Sequence, residues 1–114
     1  MQRNSFASSL LQRTLREKKL GYESEYLLKR LAPGYRGLLR VDCYVPALDV
    51  AIEVNGDHHG WADRLDKDGV KRSLLVYHGV KLVIWNVTKP PKSAGKVVNY
   101  LLGGKFEPVK VFWN

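Results

Sequence analysis

Residues 40–59, RVDCYVPALDVAIEVNGDHH, bring four carboxylates and two histidines into a stretch of twenty residues. Asp42 and Glu53 stand inside segments made otherwise of Val, Ile, Ala, Cys and Tyr, a composition that favours strands. Strand interiors disfavour acids, and a buried carboxylate is costly unless a cation meets it. The pattern therefore predicts a metal site in which Asp42 and Glu53 are both ligands and catalytic residues.

The two carboxylates are predicted to face each other across an antiparallel hairpin. A turn about 47–48 pairs Asp42 directly with Glu53, and directly opposed side chains have Cβ atoms roughly 4.5–5.5 Å apart. A divalent cation that prefers oxygen ligands, Mg²⁺ or Mn²⁺, fits between two such carboxylates. The alternative is a shifted register, in which both acids are solvated on an open sheet face and paired with Arg40 or Lys81.

The segment NGDHHG, residues 55–60, directly follows the strand that carries Glu53. Histidine is the side chain best suited to move a proton near neutral pH, so His58 or His59 could activate water or protonate a leaving oxygen. The alternative is that both are ordinary loop residues. Two adjacent histidines with no cysteine pair do not match a structural zinc site.

The net charge of +8 is unevenly distributed along the chain. Residues 1–40 carry a net +6 and residues 86–114 a net +4, whereas residues 41–85 carry −2. Basic flanks that hold a polyanion around an acidic, metal-binding centre suit phosphodiester cleavage in a nucleic acid. A basic protein with scattered surface charge is the alternative. The side chains expected to bind nucleic acid are Arg13, Arg36, Arg40, His58, Lys71 and Arg72.

Length and composition predict a single domain, 1–114, of ordinary globular type. The apolar runs are too short to cross a bilayer, and no signal-peptide pattern is present. We therefore expect a soluble cytoplasmic protein with no membrane partner, and the single cysteine suits a reducing interior.

Periodicity and turn signals predict the elements in the order helix, three strands, helix, strand, helix, strand. The first helix has Phe6, Leu10, Leu11 and Leu15 on its apolar stripe and ends at Gly21. The second runs from about 65 to 78, with Gly79 as its stop. The fold class predicted is α/β (mixed α+β), with a small mixed sheet of about four to five strands flanked by helices.

The hairpin resembles a known pattern. Asp42, ten residues, then Glu53-Val54-Asn55 is similar to the core of the PD-(D/E)XK nucleases, in which an Asp and an (Asp/Glu)-x-Lys lie on adjacent strands. The longer string RVDCYVP…LDVAIEVNGDHH…D…K…L…G…LVIW resembles small single-domain relatives of the very-short-patch repair endonucleases, over about residues 5–87. The resemblance implies a restriction-endonuclease-like core and metal ligands at Asp42, Glu53 and the Val54 carbonyl, with His59 at the position of that group's histidine.

The sequence departs from the family pattern at Asn55, where the broad superfamily has Lys and the narrower group has Asp. The resemblance places Asn55 among the catalytic positions, and Lys71 at the position of a helical Arg. A second resemblance, to the RAP domain of organellar RNA-processing proteins, rests on IEVNGDHH and KRSLL…G. It implies the same fold used to bind RNA.

Three functions follow from these patterns. The first is a metal-dependent endonuclease that hydrolyses DNA; the second is a non-catalytic nucleic-acid-binding module, with RNA as an alternative ligand. The third is an accessory protein that binds an acidic enzyme through its basic surface. A homodimer formed through Phe112, Trp113 and Asn114 is an alternative to packing of that end against the core.

Overall fold

The computed structural model describes residues 5–55, 61–87 and 94–113, with the backbone alone for residues 5 and 61–68. Within these residues the chain forms three α-helices, a short 3₁₀-helix and one sheet of five strands. The elements in chain order are α1 (Ser5–Glu17), β1 (Glu23–Leu27), a 3₁₀ turn (Leu28–Arg30), β2 (Arg40–Val45), β3 (Val50–Asn55), α2 (Trp61–Tyr77), β4 (Lys81–Asn86), α3 (Ala94–Gly103) and β5 (Val109–Trp113).

The strands lie side by side in chain order. The pairs β1–β2 and β2–β3 are antiparallel, whereas β3–β4 and β4–β5 are parallel. The chain therefore makes a hairpin first and then crosses over through α2 and through α3, as parallel pairing requires. The predicted mixed α/β class, with a small mixed sheet flanked by helices, is confirmed.

The register of the β2–β3 hairpin is also the predicted one. Cys43 pairs with Ile52 and Val45 with Val50, and the turn occupies 46–49. Val45 and Val50, which flank the turn, have no exposed surface. A slip of one residue would move the side chains of one strand from the face packed against α1 and α3 to the face that α2 covers.

Apolar side chains cover both faces of the sheet. On one face, α1 and α3 pack over a cluster that includes Leu11, Ile52, Trp85 and Val97. On the other face, a second cluster centred on Tyr44, Ala51 and Leu82 is covered by Leu75 of α2. Because the sheet is buried on both faces, β3 and β4 are apolar almost throughout, and the few polar residues that they carry stand out.

Two of the three predictions for helix ends need correction. The first helix ends at Glu17, and its left-handed residue is Lys19 (φ 60°) rather than the predicted Gly21. The second helix begins at Trp61, about one turn earlier than predicted, whereas Gly79 (φ 74°) follows its end as expected. Phe6, predicted on the apolar stripe of α1, is exposed. Its place is taken by Ala7, whose small side chain lets the helix approach the core.

Candidate functional site

Asp42 and Glu53 lie on neighbouring strands, on the sheet face that α2 covers. Asp42 shares its face with Tyr44, and Glu53 shares its face with Ala51; both neighbours belong to the cluster under α2. The pairing of Tyr44 with Ala51, continued by two residues, sets the two acids opposite each other. Both are half-buried. The structure therefore places the two acids opposite each other on adjacent strands, as the sequence predicts.

Each carboxylate accepts a hydrogen bond from the backbone of the opposite strand. Oδ2 of Asp42 accepts from the Val54 N–H at 2.6 Å, and Oε1 of Glu53 accepts from the Asp42 N–H at 3.3 Å. The register pairs seen between β2 and β3 are Cys43 with Ile52, Tyr44 with Ala51 and Val45 with Val50. The bonds to the two acids lie next to these pairs, and they fix the direction of both side chains.

Lys71 is the cation that meets Glu53. Its Nζ donates to Oε2 of Glu53 in a short ion pair, and the two side chains are only 15% and 13% exposed. The sequence suggested Arg40 or Lys81 for this role, and neither takes it among the contacts seen. Arg40 donates instead to the Glu25 carbonyl at 3.0 Å, and Lys81 lies over the ring of Phe106.

The backbone of β1 is irregular opposite Asp42. Ser24 pairs with Cys43 and Tyr26 with Val41, but Glu25 between them has a φ of 53°, in the left-handed region. Such a conformation costs a residue with a side chain about 1–2 kcal/mol. It turns the Glu25 carbonyl toward the Arg40 guanidinium, so the β1 ladder is interrupted beside the carboxylates.

Asn55 and Asn86 extend the site across the sheet. They are paired in register on parallel strands, and Nδ2 of Asn55 donates to Oδ1 of Asn86 at 3.2 Å. A small hollow between β3, β4 and α2 is lined by Glu53, Asn55, Lys71, Arg72, Leu82 and Ile84. The lining thus combines a carboxylate, an amide and two cationic side chains with the apolar side chains of Leu82 and Ile84.

A second hollow, open and basic, lies in the loop between β1 and β2. Its lining consists of Lys29, Arg30, Pro33, Gly34, Tyr35 and Arg36. Because Leu27 pairs with Arg40, this loop leaves the sheet at the end where β2 begins and β3 finishes. The basic hollow and the carboxylates therefore share one end of the sheet.

The structure brings some of the predicted site residues together and separates others. Arg36, Arg40, Lys71 and Arg72 all belong to the carboxylate end of the sheet. Arg13 is exposed on α1, which packs on the opposite face. His58 and His59 lie outside the described residues.

The donor set of the site suits a hard cation. Two carboxylates from adjacent strands are what a magnesium ion takes from a protein when substrate oxygens and water complete its shell. Within the described residues no group of three or more His, Cys, Asp or Glu side chains comes together. The contact seen at Val54 is its N–H donation to Asp42, whereas the sequence predicts its carbonyl as a ligand. The residues present thus fit a metal held largely by Asp42 and Glu53.

Two ionisable side chains of β2 are held in their neutral forms. Burial, helped by the nearby Asp42 charge, raises the pKa of the Cys43 thiol to about 12. Burial and donation of the phenol to Oδ1 of Asp49 at 2.6 Å raise the pKa of Tyr44 well above its usual range. Neither group can serve as an anionic nucleophile near neutral pH.

Sequence reasoning missed the partnership of Lys71 with Glu53. It identified Lys71 only as a phosphate ligand, although the residue stands one helical turn before the buried Leu75. Side chains four apart share a helix face, so a lysine at that position must also point toward the sheet. That spacing was the signal in the sequence. For Asn86 the sequence contains no such signal, because a single amide side chain at the end of a strand is common.

Comparison of the chain with protein-family models, with curated proteins and with solved structures finds no significant match. None of the helices in the described part of the chain is long and apolar enough to cross a membrane.

Proposed function

We propose that the chain is a metal-dependent endonuclease of the cytoplasm that hydrolyses phosphodiester bonds of DNA. The observation that supports this most is the convergence of Asp42 and Glu53 from adjacent strands on one partly buried spot beside a lysine. A Mg²⁺ or Mn²⁺ ion bound there would lower the pKa of water and offset the negative charge that develops at the scissile phosphate. The similarity of 42–55 to the PD-(D/E)XK pattern supports the same activity.

The residues of the chain have separate tasks in this proposal. The two carboxylates are oriented by backbone N–H groups of the opposite strand, so they need not rearrange to bind a cation. Lys71 holds Glu53 in place and adds a positive charge where a phosphate oxygen would lie. His59, or His58, assists proton transfer, and Asn55 replaces the lysine of the family pattern.

The charge distribution supports a nucleic-acid substrate. Arg36, Arg40 and Arg72 are exposed at the carboxylate end of the sheet. Residues 1–40 and 86–114 carry net charges of +6 and +4, whereas residues 41–85 carry −2. Several cations that neutralise successive phosphates bind DNA or RNA regardless of sequence.

A second candidate function is a nucleic-acid-binding module without catalysis, for which RNA is the alternative ligand. The Lys71–Glu53 ion pair favours it, because Lys71 compensates the charge of Glu53 without a metal. The hydrogen bonds that Asp42 and Glu53 accept from backbone N–H groups likewise give both acids a structural use in joining β2 to β3. A module of this kind would keep the acids for stability alone.

Cleavage by the Asp42→Asn variant separates the two candidates. Asparagine keeps an oxygen that can accept from the Val54 N–H but lacks the charge that binds a metal, so folding is preserved. We expect wild type to cut supercoiled or branched DNA only with Mg²⁺ or Mn²⁺. The variant should lose on the order of 10²-fold or more in rate while binding DNA as tightly or more tightly.

The control for this assay is Asp49→Asn, which changes a carboxylate at the hairpin turn, away from the carboxylate end. It should leave cleavage unchanged. If wild type binds DNA but never cuts it with either metal, the binding module is correct. Cleavage retained by Asp42→Asn would show that the carboxylate pair is not the catalytic site.

A further inference from the structure

We infer that Trp113 stacks on an unpaired nucleobase, so the nucleic acid bound at the carboxylates is single-stranded or locally opened rather than an intact duplex. This inference rests on the proposed function and specifies the substrate class of the same site. It starts from a row of residues in register across the end of the sheet: Asn55 pairs with Asn86, and Asn86 pairs with Trp113.

Trp113 lies on the same face of the sheet as the carboxylates. Residues in register on adjacent strands point to the same face, and the Asn55–Asn86 hydrogen bond shows this for the first pair. Val109 lies four residues before Trp113 on the same strand, an even number, and belongs to the apolar cluster under α2. Phe112 packs on Tyr100 of the opposite face. The indole therefore stands on the α2 face with Glu53.

The separation between Trp113 and the carboxylates matches neighbouring nucleotides. Adjacent strands lie about 4.8 Å apart, so Trp113, two strands from β3, is roughly 10 Å to the side of Asn55. Glu53 is one row back, about 7 Å along the strand. Ile84 and Val111 are in register with Glu53 and continue its row toward β5, so the surface between the carboxylate and the indole is apolar. A strand whose phosphate lies at the carboxylates can thus present one of its next bases to the indole.

The exposure of Trp113 makes it available for stacking. Its side chain is 67% exposed, whereas the other tryptophan whose side chain is described, Trp85, is completely buried in the core. An exposed aromatic face beside cations and amides is the combination that binds single strands, because every unpaired base offers a face for stacking. In a duplex those faces are covered by neighbouring base pairs, which is why the inference excludes an intact duplex.

The β1 side and the β5 side of the site bind different parts of the nucleic acid. Arg36 and Lys29 line the basic hollow on the β1 side and attract phosphates, whichever form the nucleic acid takes. Trp113 lies on the β5 side and stacks only against an unpaired base that is not stacked on its neighbours. The carboxylates lie between these two sites, so an opened strand crosses them.

The test measures binding without a metal, in EDTA, so that catalysis plays no part. Fluorescence anisotropy compares a labelled single-stranded DNA of about 12 nucleotides with the same strand in a blunt duplex. Trp113→Ala should weaken binding of the single strand about tenfold and binding of the duplex less than twofold. Trp113→Phe, which keeps a ring, should recover most of the loss.

Three control variants separate this effect from general changes. Tyr77→Ala removes an aromatic side chain that is 83% exposed at the end of α2, next to the start of β4 and so at the opposite end of the sheet. It should change neither affinity. Arg36→Gln should weaken single strand and duplex alike, and Lys105→Gln, an exposed cation before β5, should weaken neither.

Each remaining outcome contradicts either the stacking role of Trp113 or the proposed function on which that role rests. Equal loss for single strand and duplex in Trp113→Ala, or no loss, overturns the stacking role while the proposed function stands. Failure of wild type to bind either form overturns the proposed function as well. Sedimentation velocity covers the last case: if Trp113→Ala converts a dimer to a monomer, Trp113 belongs to an interface between two copies of the chain, and the inference is wrong.

Discussion

At the scale of single residues, the site is held by bonds that compensate two half-buried acids. Glu53 receives a backbone N–H and the Lys71 ammonium, and Asp42 receives the Val54 N–H. An ion pair of this kind is costly to break from one side, because the remaining charge stays in a poorly solvated place. The same bonds fix the carboxylate positions, so stability and any catalytic geometry depend on the same residues.

Removal of Lys71 should therefore destabilise the fold more than removal of an exposed partner. We expect Lys71→Met to lower the free energy of unfolding by about 3 kcal/mol, since the half-buried Glu53 carboxylate loses the ammonium that compensates its charge. Adding Glu53→Gln should recover a large part of that loss, because the charge is gone while an oxygen remains for the Asp42 N–H. Urea denaturation of the single and double variants measures both effects.

The matched control is the exposed pair of Arg30 with Glu23, whose side chains are 55% and 44% exposed. Glu23→Gln should lower the free energy of unfolding far less than Lys71→Met does, because exposed ion pairs contribute little to stability. A loss in Lys71→Met no greater than this would show that the Glu53 pair is solvated and contributes little.

Cys43 makes stability depend on pH in the alkaline range. Its pKa is raised by burial from about 9 to about 12. Between these values the unfolded thiol ionises and the folded one stays protonated, so the unfolded state binds fewer protons and the free energy of unfolding falls as pH rises. Below pH 9 there is no such effect. The slope should reach about −1.4 kcal/mol per pH unit from this residue.

Denaturation at pH 7, 9 and 10.5 tests the effect in wild type and in Cys43→Ala. The variant should show a shallower decline above pH 9, although it will not be flat, because the raised pKa of Tyr44 acts in the same direction. Identical slopes in the two proteins would contradict the assignment to Cys43.

At the scale of elements, α1 and α2 end in the same way with different residues. After α1, the Lys19 N–H donates to the Arg16 carbonyl and the Leu20 N–H to Leu15. After α2, the corresponding donors are Gly79 and Val80. Both are Schellman motifs, which need one residue in the left-handed conformation. Glycine adopts it without cost at Gly79, whereas Lys19 adopts it at a cost.

Exchanging the residue types at these two ends should have opposite effects. Lys19→Gly is expected to stabilise the protein by about 1 kcal/mol and raise the melting temperature by about 4 °C. Gly79→Ala should destabilise it by a similar amount through the backbone alone, since a Cβ there would meet no atom within 4 Å. Thermal unfolding followed by circular dichroism gives both values. A lower melting temperature for Lys19→Gly would mean that the lysine side chain contributes more than its conformation costs.

At the scale of the whole molecule, charge and topology converge on one end of the sheet. The strands β3, β4 and β5 finish there, and the basic loop between β1 and β2 leaves from there. Crevices at the carboxyl ends of parallel strands are where such sheets commonly bind ligands. The proposed nucleic acid would follow this end from the basic hollow to β5.

Binding of DNA by the whole protein should be strongly dependent on salt. If about four to six phosphates are neutralised, the logarithm of the association constant should fall against the logarithm of salt concentration with a slope of roughly −4 to −5. Arg36→Gln should reduce the magnitude of that slope by about 1. Anisotropy titrations between 50 and 200 mM salt measure it, with Lys105→Gln as the unchanged control. A flat response would favour the accessory protein that binds an acidic enzyme.

The sequence alone determined the elements and the hairpin. Alternation in β2 and β3 placed Asp42 and Glu53 on one face, and a turn about 47–48 predicted the register in which Cys43 pairs with Ile52. Local periodicity and turn residues carry this information, because a strand face or a helix stop depends on a few neighbours in the chain. The left-handed residue after α1, Lys19, escaped prediction, since a lysine gives no signal for that conformation.

Only the tertiary structure decided what meets the carboxylates and what lies beside them. Lys71 reaches Glu53 from a helix eighteen residues further along, and Trp113 joins Asn55 through two parallel pairings. Such contacts depend on strand order and on the crossovers through α2 and α3. The spacing of Lys71 from Leu75 indicates that the lysine faces the sheet, but it does not indicate which strand residue the lysine meets, because strand order and crossovers bring together side chains that are far apart in the chain.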